Sequence, residues 1–115
     1  MKLPNAENAF VDLEKLRSYA LDPTHRVGRH RARLFSALLG LGVEGAEELR
    51  DILLDAARTL DAELGEHGEH GQCYRIDFML TWRGRQALLR SAWIVRPEEG
   101  FPRLVTCYPL PEGRQ

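Results

Sequence analysis

The sequence predicts an α+β fold in which N-terminal helices pack on one face of a three- to four-stranded antiparallel sheet. Apolar residues recur at helical spacing in the first half of the chain, whereas from Cys73 onward they alternate with polar residues as they do in strands. The connections between the expected strands are short, which favours an antiparallel meander. The chain has 115 residues, the length of one ordinary domain, so residues 1–115 are expected to form a single domain.

Three helices are expected before the sheet, over residues 12–21, 29–42 and 44–64. Asp12 is the expected N-cap of the first helix, which ends before Pro23 because the residue preceding a proline avoids helical dihedral angles. Gly40 or Gly42 is expected to close the second helix, since glycine readily adopts the left-handed conformation found after helix ends. The third helix has an apolar stripe and an acidic first turn, which suits the positive end of the helix dipole.

Three strands are expected after the helices, over residues 73–82, 86–97 and 103–110. The glycine-rich segment 65–72 is expected to be a loop, and residues 3–11 are the candidate for a fourth strand at the sheet edge. Simple alternation along the last strand places Leu104, Thr106 and Tyr108 on one face. The order of elements is therefore α-α-α-β-β-β.

The charge is distributed unevenly along the chain. The net charge is −1, but residues 1–40 carry +3, residues 41–72 carry −7 and residues 73–115 carry +3. Residues 23–36 contain four arginines and two histidines and no acidic residue. If the two basic segments meet in the fold, they form one cationic site for an anionic partner; the alternative is that the charges only solvate separate faces.

Four motifs resemble a known bacterial family. LPNAENAF, VGRHRARLF, SAWIV and FPRLVTCYPL are similar to the LPNAENA, GRHKARVF, AWI and PRLVTCY patterns of domain-of-unknown-function family 6883. The resemblance extends from Leu3 to Leu110, and the family name implies no activity. The chain has Arg31 where the family pattern has lysine, which keeps the cation but removes any role that a neutral lysine would have.

A second resemblance is looser and concerns the fold. The chain is similar to the ribonuclease toxin group of barnase, EndoU, colicin and RelE type, which packs N-terminal helices on an antiparallel sheet. That group places a basic residue or a histidine on a helix opposite polar residues of the sheet. The resemblance implies a toxin-like endoribonuclease that needs no metal, or an RNA-binding domain, and it is an analogy between folds.

The candidate site combines the second helix with the last two strands. On a helical wheel, Arg31 falls within the apolar arc of the second helix and His30 falls at its edge, so both are expected to point toward the sheet. Histidine is suited to proton transfer near neutral pH, arginine to a bidentate grip on phosphate, and aromatic rings to stacking on bases. The expected catalytic residues are His30, Arg31, Thr106 and Tyr108, and the expected substrate-binding residues are Arg26, Arg90 and Trp93.

Each of these assignments has a structural alternative. Trp93 is the typical residue type of a core anchor, His30 is equally suited to solvent in a first helical turn, and Arg31 can be buried beside Asp77. Trp82, beside two arginines, is either part of a binding surface or a packing residue at the end of a hairpin. At the level of the whole protein, the alternative is a non-enzymatic interaction module or adaptor whose acidic third helix is the working surface. A further alternative is RNA binding without cleavage.

Other classes of function are disfavoured. His67 and His70 lack a well-placed third ligand, so no metal is expected, and no nucleotide-cofactor motif is present, so no cofactor is expected. Cys73 and Cys107 lack the C-x-x-C spacing of redox motifs and favour a reducing compartment. Without a membrane-length apolar segment or a signal-peptide pattern, the protein is expected in the cytoplasm, away from membranes. RNA is the expected partner, with a cognate inhibitor or another protein as the alternative, and the sequence does not indicate an oligomeric state.

Overall fold

The computed structural model describes residues 1–111 and confirms the α+β order of helices followed by an antiparallel sheet. The helices and strands are α1 (Leu13–Lys15), continued by a π-helical turn (Leu16–Ala20), α2 (Arg29–Leu39), α3 (Ala46–Thr59), β1 (Glu63–Gly68), β2 (Gly71–Trp82), β3 (Arg85–Val95) and β4 (Pro102–Leu110). Short 3₁₀ turns lie at Ala6–Asn8 and Val43–Gly45. No helix in this part of the chain is both long and apolar enough to cross a membrane.

The helix ends follow the expected local chemistry, with one exception. The Asp12 carboxylate accepts a hydrogen bond from the Glu14 backbone N–H at 3.0 Å, which confirms it as an N-cap. Gly40 ends α2 with a φ of +68°, a value that a side chain would disfavour. α3 ends at Thr59 rather than at residue 64, because residues 63 and 64 enter β1 and pair with β2.

The four strands lie in the sheet in chain order, and every neighbouring pair is antiparallel. A two-residue turn, Arg83–Gly84, joins β2 to β3, and both residues have positive φ, as a tight hairpin turn of this kind requires. The fourth strand is β1, in the glycine-rich segment that was expected to be a loop. Every residue of β1 is exposed, so the strand has no apolar alternation by which the sequence could reveal it.

Residues 3–11, the candidate for the extra strand, do not form one. They contain the Ala6–Asn8 turn, and only Phe10 joins the sheet, through an isolated parallel bridge to Arg103 at the edge of β4. The Phe10 N–H donates to the Pro102 carbonyl at 2.9 Å, and the Phe10 carbonyl accepts from the Leu104 N–H at 3.0 Å. This bridge covers one end of the β4 edge.

The core lies between the helices and one face of the sheet, here called the inner face. Its fully buried side chains include Leu16, Phe35, Leu39, Leu49, Leu53, Ile76, Leu89 and Trp93. The opposite face, here called the outer face, carries the alternate residues of β2, β3 and β4. The outer face positions the candidate site, because polar and cationic side chains of three strands line up across it.

A β-bulge in β4 changes which residues share a face. Ala92 pairs with Thr106 but the next residue, Trp93, pairs with Leu104, so Val105 is an extra residue in the ladder. A bulge of one residue reverses the alternation beyond it. Leu104 is therefore buried on the inner face, and Thr106 lies with Ala92 on the outer face. The prediction that Leu104 shares a face with Thr106 and Tyr108 is wrong for this reason.

Candidate functional site

The centre of the candidate site is Arg31, which reaches from α2 to two residues of β4. Its Nη1 donates a hydrogen bond of 3.1 Å to the Thr106 hydroxyl, and its guanidinium carbon lies 4.0 Å from the centre of the Tyr108 ring. β4 is an edge strand, and α2 packs against β3 and β4. The side chain is half-buried, and among residues 1–111 no carboxylate lies within salt-bridge distance of it.

Arg90 lies beside Tyr108 on the outer face, because the two residues are directly paired across β3 and β4. Its Nε and Nη2 donate to the two carboxylate oxygens of Asp77, at 3.0 and 2.9 Å, in a bidentate pair. These hydrogen bonds raise the pKa of the Arg90 guanidinium, and the Tyr108 hydroxyl adds to the effect. Arg90 is thus a fixed cation whose charge Asp77 already balances, in contrast to Arg31.

These five residues are called the outer-face cluster: Arg31, Asp77, Arg90, Thr106 and Tyr108. The basic N-terminal and C-terminal segments of the chain meet in it, as the charge pattern allowed. The structure brings together four of the seven residues expected to bind or act on a substrate, namely Arg31, Arg90, Thr106 and Tyr108. Burial of Arg31 beside Asp77, the structural alternative, is wrong because Asp77 pairs with Arg90.

His30 and Arg26 lie outside this cluster. His30 is exposed, and its side chain makes no hydrogen bond to the described part of the chain. The buried residues of α2 are Ala32, Phe35 and Leu39. The centre of this buried stripe is rotated around the helix axis from the centre of the apolar arc that the helical wheel predicted. That displacement turns His30 to solvent and leaves Arg31 at the border of the stripe. Arg26 is exposed in the loop that precedes α2.

Trp93 is buried on the inner face and is fully inaccessible to solvent. Its Nε1 donates to the Ser91 hydroxyl at 3.0 Å, and that hydroxyl donates to the Ile76 carbonyl at 2.8 Å. This placement agrees with the core-anchor alternative, so Trp93 is left out of the site. Trp82 is also buried, and it packs so closely on Gly45 that a Cβ there would lie 2.7 Å from the indole ring.

Two residues that support the site were not among the expected site residues, although the sequence suggested Asp77 as a partner for Arg31. Asp77 holds Arg90, and only the strand register shows that the two are opposite. His25 organises the loop that leads into α2, because its Nδ1 accepts the backbone N–H groups of Val27 and Gly28, both at 3.0 Å. A polar side chain that can accept a hydrogen bond from the backbone N–H two residues later indicates a turn, and His25 could have been recognised in this way. Asp and Asn have this role more often than His.

The described residues contain no group of three or more His, Cys, Asp or Glu side chains arranged to hold a metal ion. Neither cysteine forms a disulfide: Cys73 pairs with Ile94 on the outer face, and Cys107 pairs with Ser91 on the inner face. Burial raises the pKa of the Cys107 thiol to about 12. Cys107 is therefore held as a neutral thiol and is not a nucleophile at neutral pH.

Comparison with known proteins adds a family and a fold. A family model described as "Domain of unknown function (DUF6883)" matches residues 2–111. Among solved structures, the chain is similar to one from a contact-dependent growth inhibition toxin–immunity protein complex of Klebsiella pneumoniae 342. The identity is 19%, the TM-score is 0.67, and the alignment covers 92% of this chain and 97% of that one. No curated protein matches. At this identity, the structural similarity shows a shared fold and not a shared activity.

Proposed function

The chain belongs to the DUF6883 family, as its four motifs predicted, and we propose that it binds RNA at the outer-face cluster and cleaves it as a toxin-like endoribonuclease without a metal. The observation that carries this proposal is the contact of Arg31 with both Thr106 and Tyr108, at the point where the two basic segments meet. A half-buried arginine without an acidic partner in residues 1–111 is suited to an anion, and its planar fork matches the oxygens of a phosphate group.

The proposed reaction is transesterification of the RNA backbone. The 2′-oxygen attacks the adjacent phosphorus, the bond to the 5′-oxygen breaks, and the products are a 2′,3′-cyclic phosphate and a 5′-hydroxyl end. One N–H group of Arg31 donates to the Thr106 hydroxyl. The other N–H groups of its guanidinium are available to donate to the non-bridging phosphate oxygens. Arg90 positions Tyr108 from the opposite side. Tyr108 donates its hydroxyl proton to the leaving 5′-oxygen.

The proton of the 2′-hydroxyl needs an acceptor, and His30 has this role in the proposal. Imidazole is suited to proton transfer near neutral pH, and His30 is adjacent to Arg31 in the first turn of α2. Its exposure lets it contact a strand of RNA that lies across the N-terminus of the helix. The exposed side chains of Arg26, Arg29 and Arg33 extend the cationic surface around that end of α2, where the helix dipole also favours phosphate.

The test is cleavage of tRNA and total RNA by the purified protein in the presence of EDTA. We expect Tyr108→Phe and Arg31→Ala each to lower the cleavage rate by about 100-fold or more, because each removes a group that acts on the transition state. Arg58→Ala, which removes an exposed arginine on the distant helix α3, is the matched control and should cleave at the parent rate. His30→Ala tests the proton acceptor separately.

The result decides between distinct outcomes. Intact RNA with the parent protein, after folding has been verified by circular dichroism, would overturn the proposed activity. Cleavage that is equal in the parent and in Tyr108→Phe would place the chemistry elsewhere. Cleavage that His30→Ala leaves unchanged would remove His30 from the mechanism without affecting Tyr108. In bacteria, induced expression of the parent should arrest growth and fragment RNA, and Tyr108→Phe should relieve both effects.

A second candidate function is a protein-interaction module on the same fold. The similar solved structure belongs to a toxin–immunity protein complex, which favours a protein partner for this chain too. The exposed side of α3 is acidic, with Glu47, Glu48, Asp51 and Asp55. This alternative predicts intact RNA in the assay above. It also predicts a complex with a protein partner that Asp51→Lys abolishes and Tyr108→Phe preserves.

A further inference from the structure

A cleft of about 340 Å³ lies along the edge of β4, near the end of the strand that is remote from Tyr108. Its apolar lining residues, here called the floor, are Ile94, Leu104 and Val105, and its polar lining residues, here called the rim, include Lys15, Arg96 and His70. Val105 is the extra residue of the β-bulge and is 40% exposed, so the bulge forms part of this floor. We propose that this cleft, called the β4 cleft, is a second RNA subsite that binds a nucleotide several positions away from the cleaved bond. The inference rests on the proposed function.

The cations of the cleft differ in their freedom to bind a phosphate. Arg103, which also lines the cleft, is held by hydrogen bonds to both carboxylate oxygens of Glu99 and by the Phe10 ring, whose centre lies 4.8 Å from its guanidinium carbon. Arg96 has only a 3.9 Å contact with Glu99. Lys15 is exposed, and no carboxylate in residues 1–111 lies within salt-bridge distance of it. Lys15 and Arg96 are therefore the groups that bind phosphate, whereas Arg103 has a structural role through its contacts with Glu99 and Phe10.

The combination of floor and rim fits one nucleotide. Apolar side chains on the floor contact a base without hydrogen-bond readout, so the subsite has little sequence preference, and the two cations on the rim neutralise a backbone phosphate. Glu98 also lines the cleft, is exposed and would repel the phosphate. Removal of this one negative charge should therefore strengthen binding at the cleft.

The distance between the two sites sets the length of RNA that fills both. Tyr108 pairs with Arg90 and Arg103 pairs with Ile94, so the sites are separated by four residues of β3, or about 13 Å at about 3.3 Å per residue. A stacked strand advances about 3.4 Å per nucleotide, so the separation corresponds to about four nucleotide steps. A dinucleotide therefore occupies the outer-face cluster alone, and a hexanucleotide reaches the β4 cleft as well.

The experiment measures the affinity of the full chain for fluorescein-labelled 2′-O-methyl oligouridylates of two and six residues, by fluorescence anisotropy at one salt concentration. The 2′-O-methyl group prevents cleavage, so binding is measured alone. We expect the parent protein to bind the hexamer about tenfold more tightly than the dimer. The Lys15→Ala/Arg96→Ala double variant should lose most of this difference and keep the affinity for the dimer. Glu98→Gln should tighten the binding of the hexamer only.

The matched control is the Arg58→Ala/Arg85→Ala double variant, which removes the same charge from exposed positions outside the cleft. It should bind the hexamer nearly as the parent does. Equal affinities of the parent for dimer and hexamer would overturn the subsite, as would equal losses in the two double variants. If Arg31→Ala still weakens binding and abolishes cleavage in those cases, the proposed function survives. If neither oligonucleotide binds and RNA is not cleaved, both proposals fail together.

Discussion

The contact between Arg31 and Tyr108 supports the proposed site, and its strength can be measured directly. Arg31→Met removes the guanidinium but keeps an unbranched side chain that can cover the same surface. The variant loses a hydrogen bond of 3.1 Å to Thr106 and a cation–π contact of 4.0 Å. A cation–π contact contributes about 0.5–2 kcal/mol, and a net hydrogen bond contributes about 0.5–1.5 kcal/mol. Because solvent screens a half-buried side chain in part, we expect the free energy of unfolding to fall by about 1–2 kcal/mol.

Urea denaturation followed by circular dichroism measures this change, and a double-mutant cycle isolates the contact. Tyr108→Leu supplies the second single variant, and the coupling energy between the two positions should be about 1 kcal/mol. Arg31→Lys, which restores the residue of the family pattern, keeps the charge but not the planar group that stacks on the ring, so it should lie between the parent and Arg31→Met. A coupling energy below about 0.3 kcal/mol would refute an ordering role of this contact in the site.

Two further predictions concern the inner face. Ser91→Ala leaves the buried Trp93 N–H without an acceptor, so the free energy of unfolding in urea should fall by about 1–3 kcal/mol, whereas Ser18→Ala, at an exposed serine, should change it by less than about 0.5 kcal/mol. Burial raises the pKa of Cys107 from 9.0 to about 12, so the unfolded chain loses this thiol proton first. Stability should fall above about pH 9 by up to about 1.4 kcal/mol per unit, and Cys107→Ala but not Cys73→Ala should remove that slope.

The main elements of the fold are predictable because their signals are local. The apolar period of α2, the Asp12 cap and the left-handed Gly40 each depend on residues within one or two helical turns. β1 was not predicted, because a strand that is exposed on both faces has no alternation of apolar and polar residues that would identify it in the sequence. The end of α3 was misplaced for a related reason, since pairing with β2, a tertiary interaction, withdraws residues 63 and 64 from the helix.

The candidate residues are partly predictable in the same sense. Their chemical types and the basic segments that contain them are visible in the sequence, and four of the seven meet in the structure. The exclusion of Trp93 follows from burial, which depends on the inner face of the whole sheet. The exposure of His30 follows from the direction of the buried stripe of α2, which packing against the sheet decides rather than the average of the apolar residues.

The sequence by itself determined the class of fold, the order of its elements, the family and the supply of cations, because each depends on composition or on short-range periodicity. Only the tertiary structure decided which side chains meet. The bulge at Val105 reverses the faces of β4, and the register places Asp77 opposite Arg90. The position of α2 against the edge strand then lets Arg31 reach Tyr108. These are contacts between residues far apart in the chain, and their geometry is set by strand pairing and packing, which no local pattern encodes.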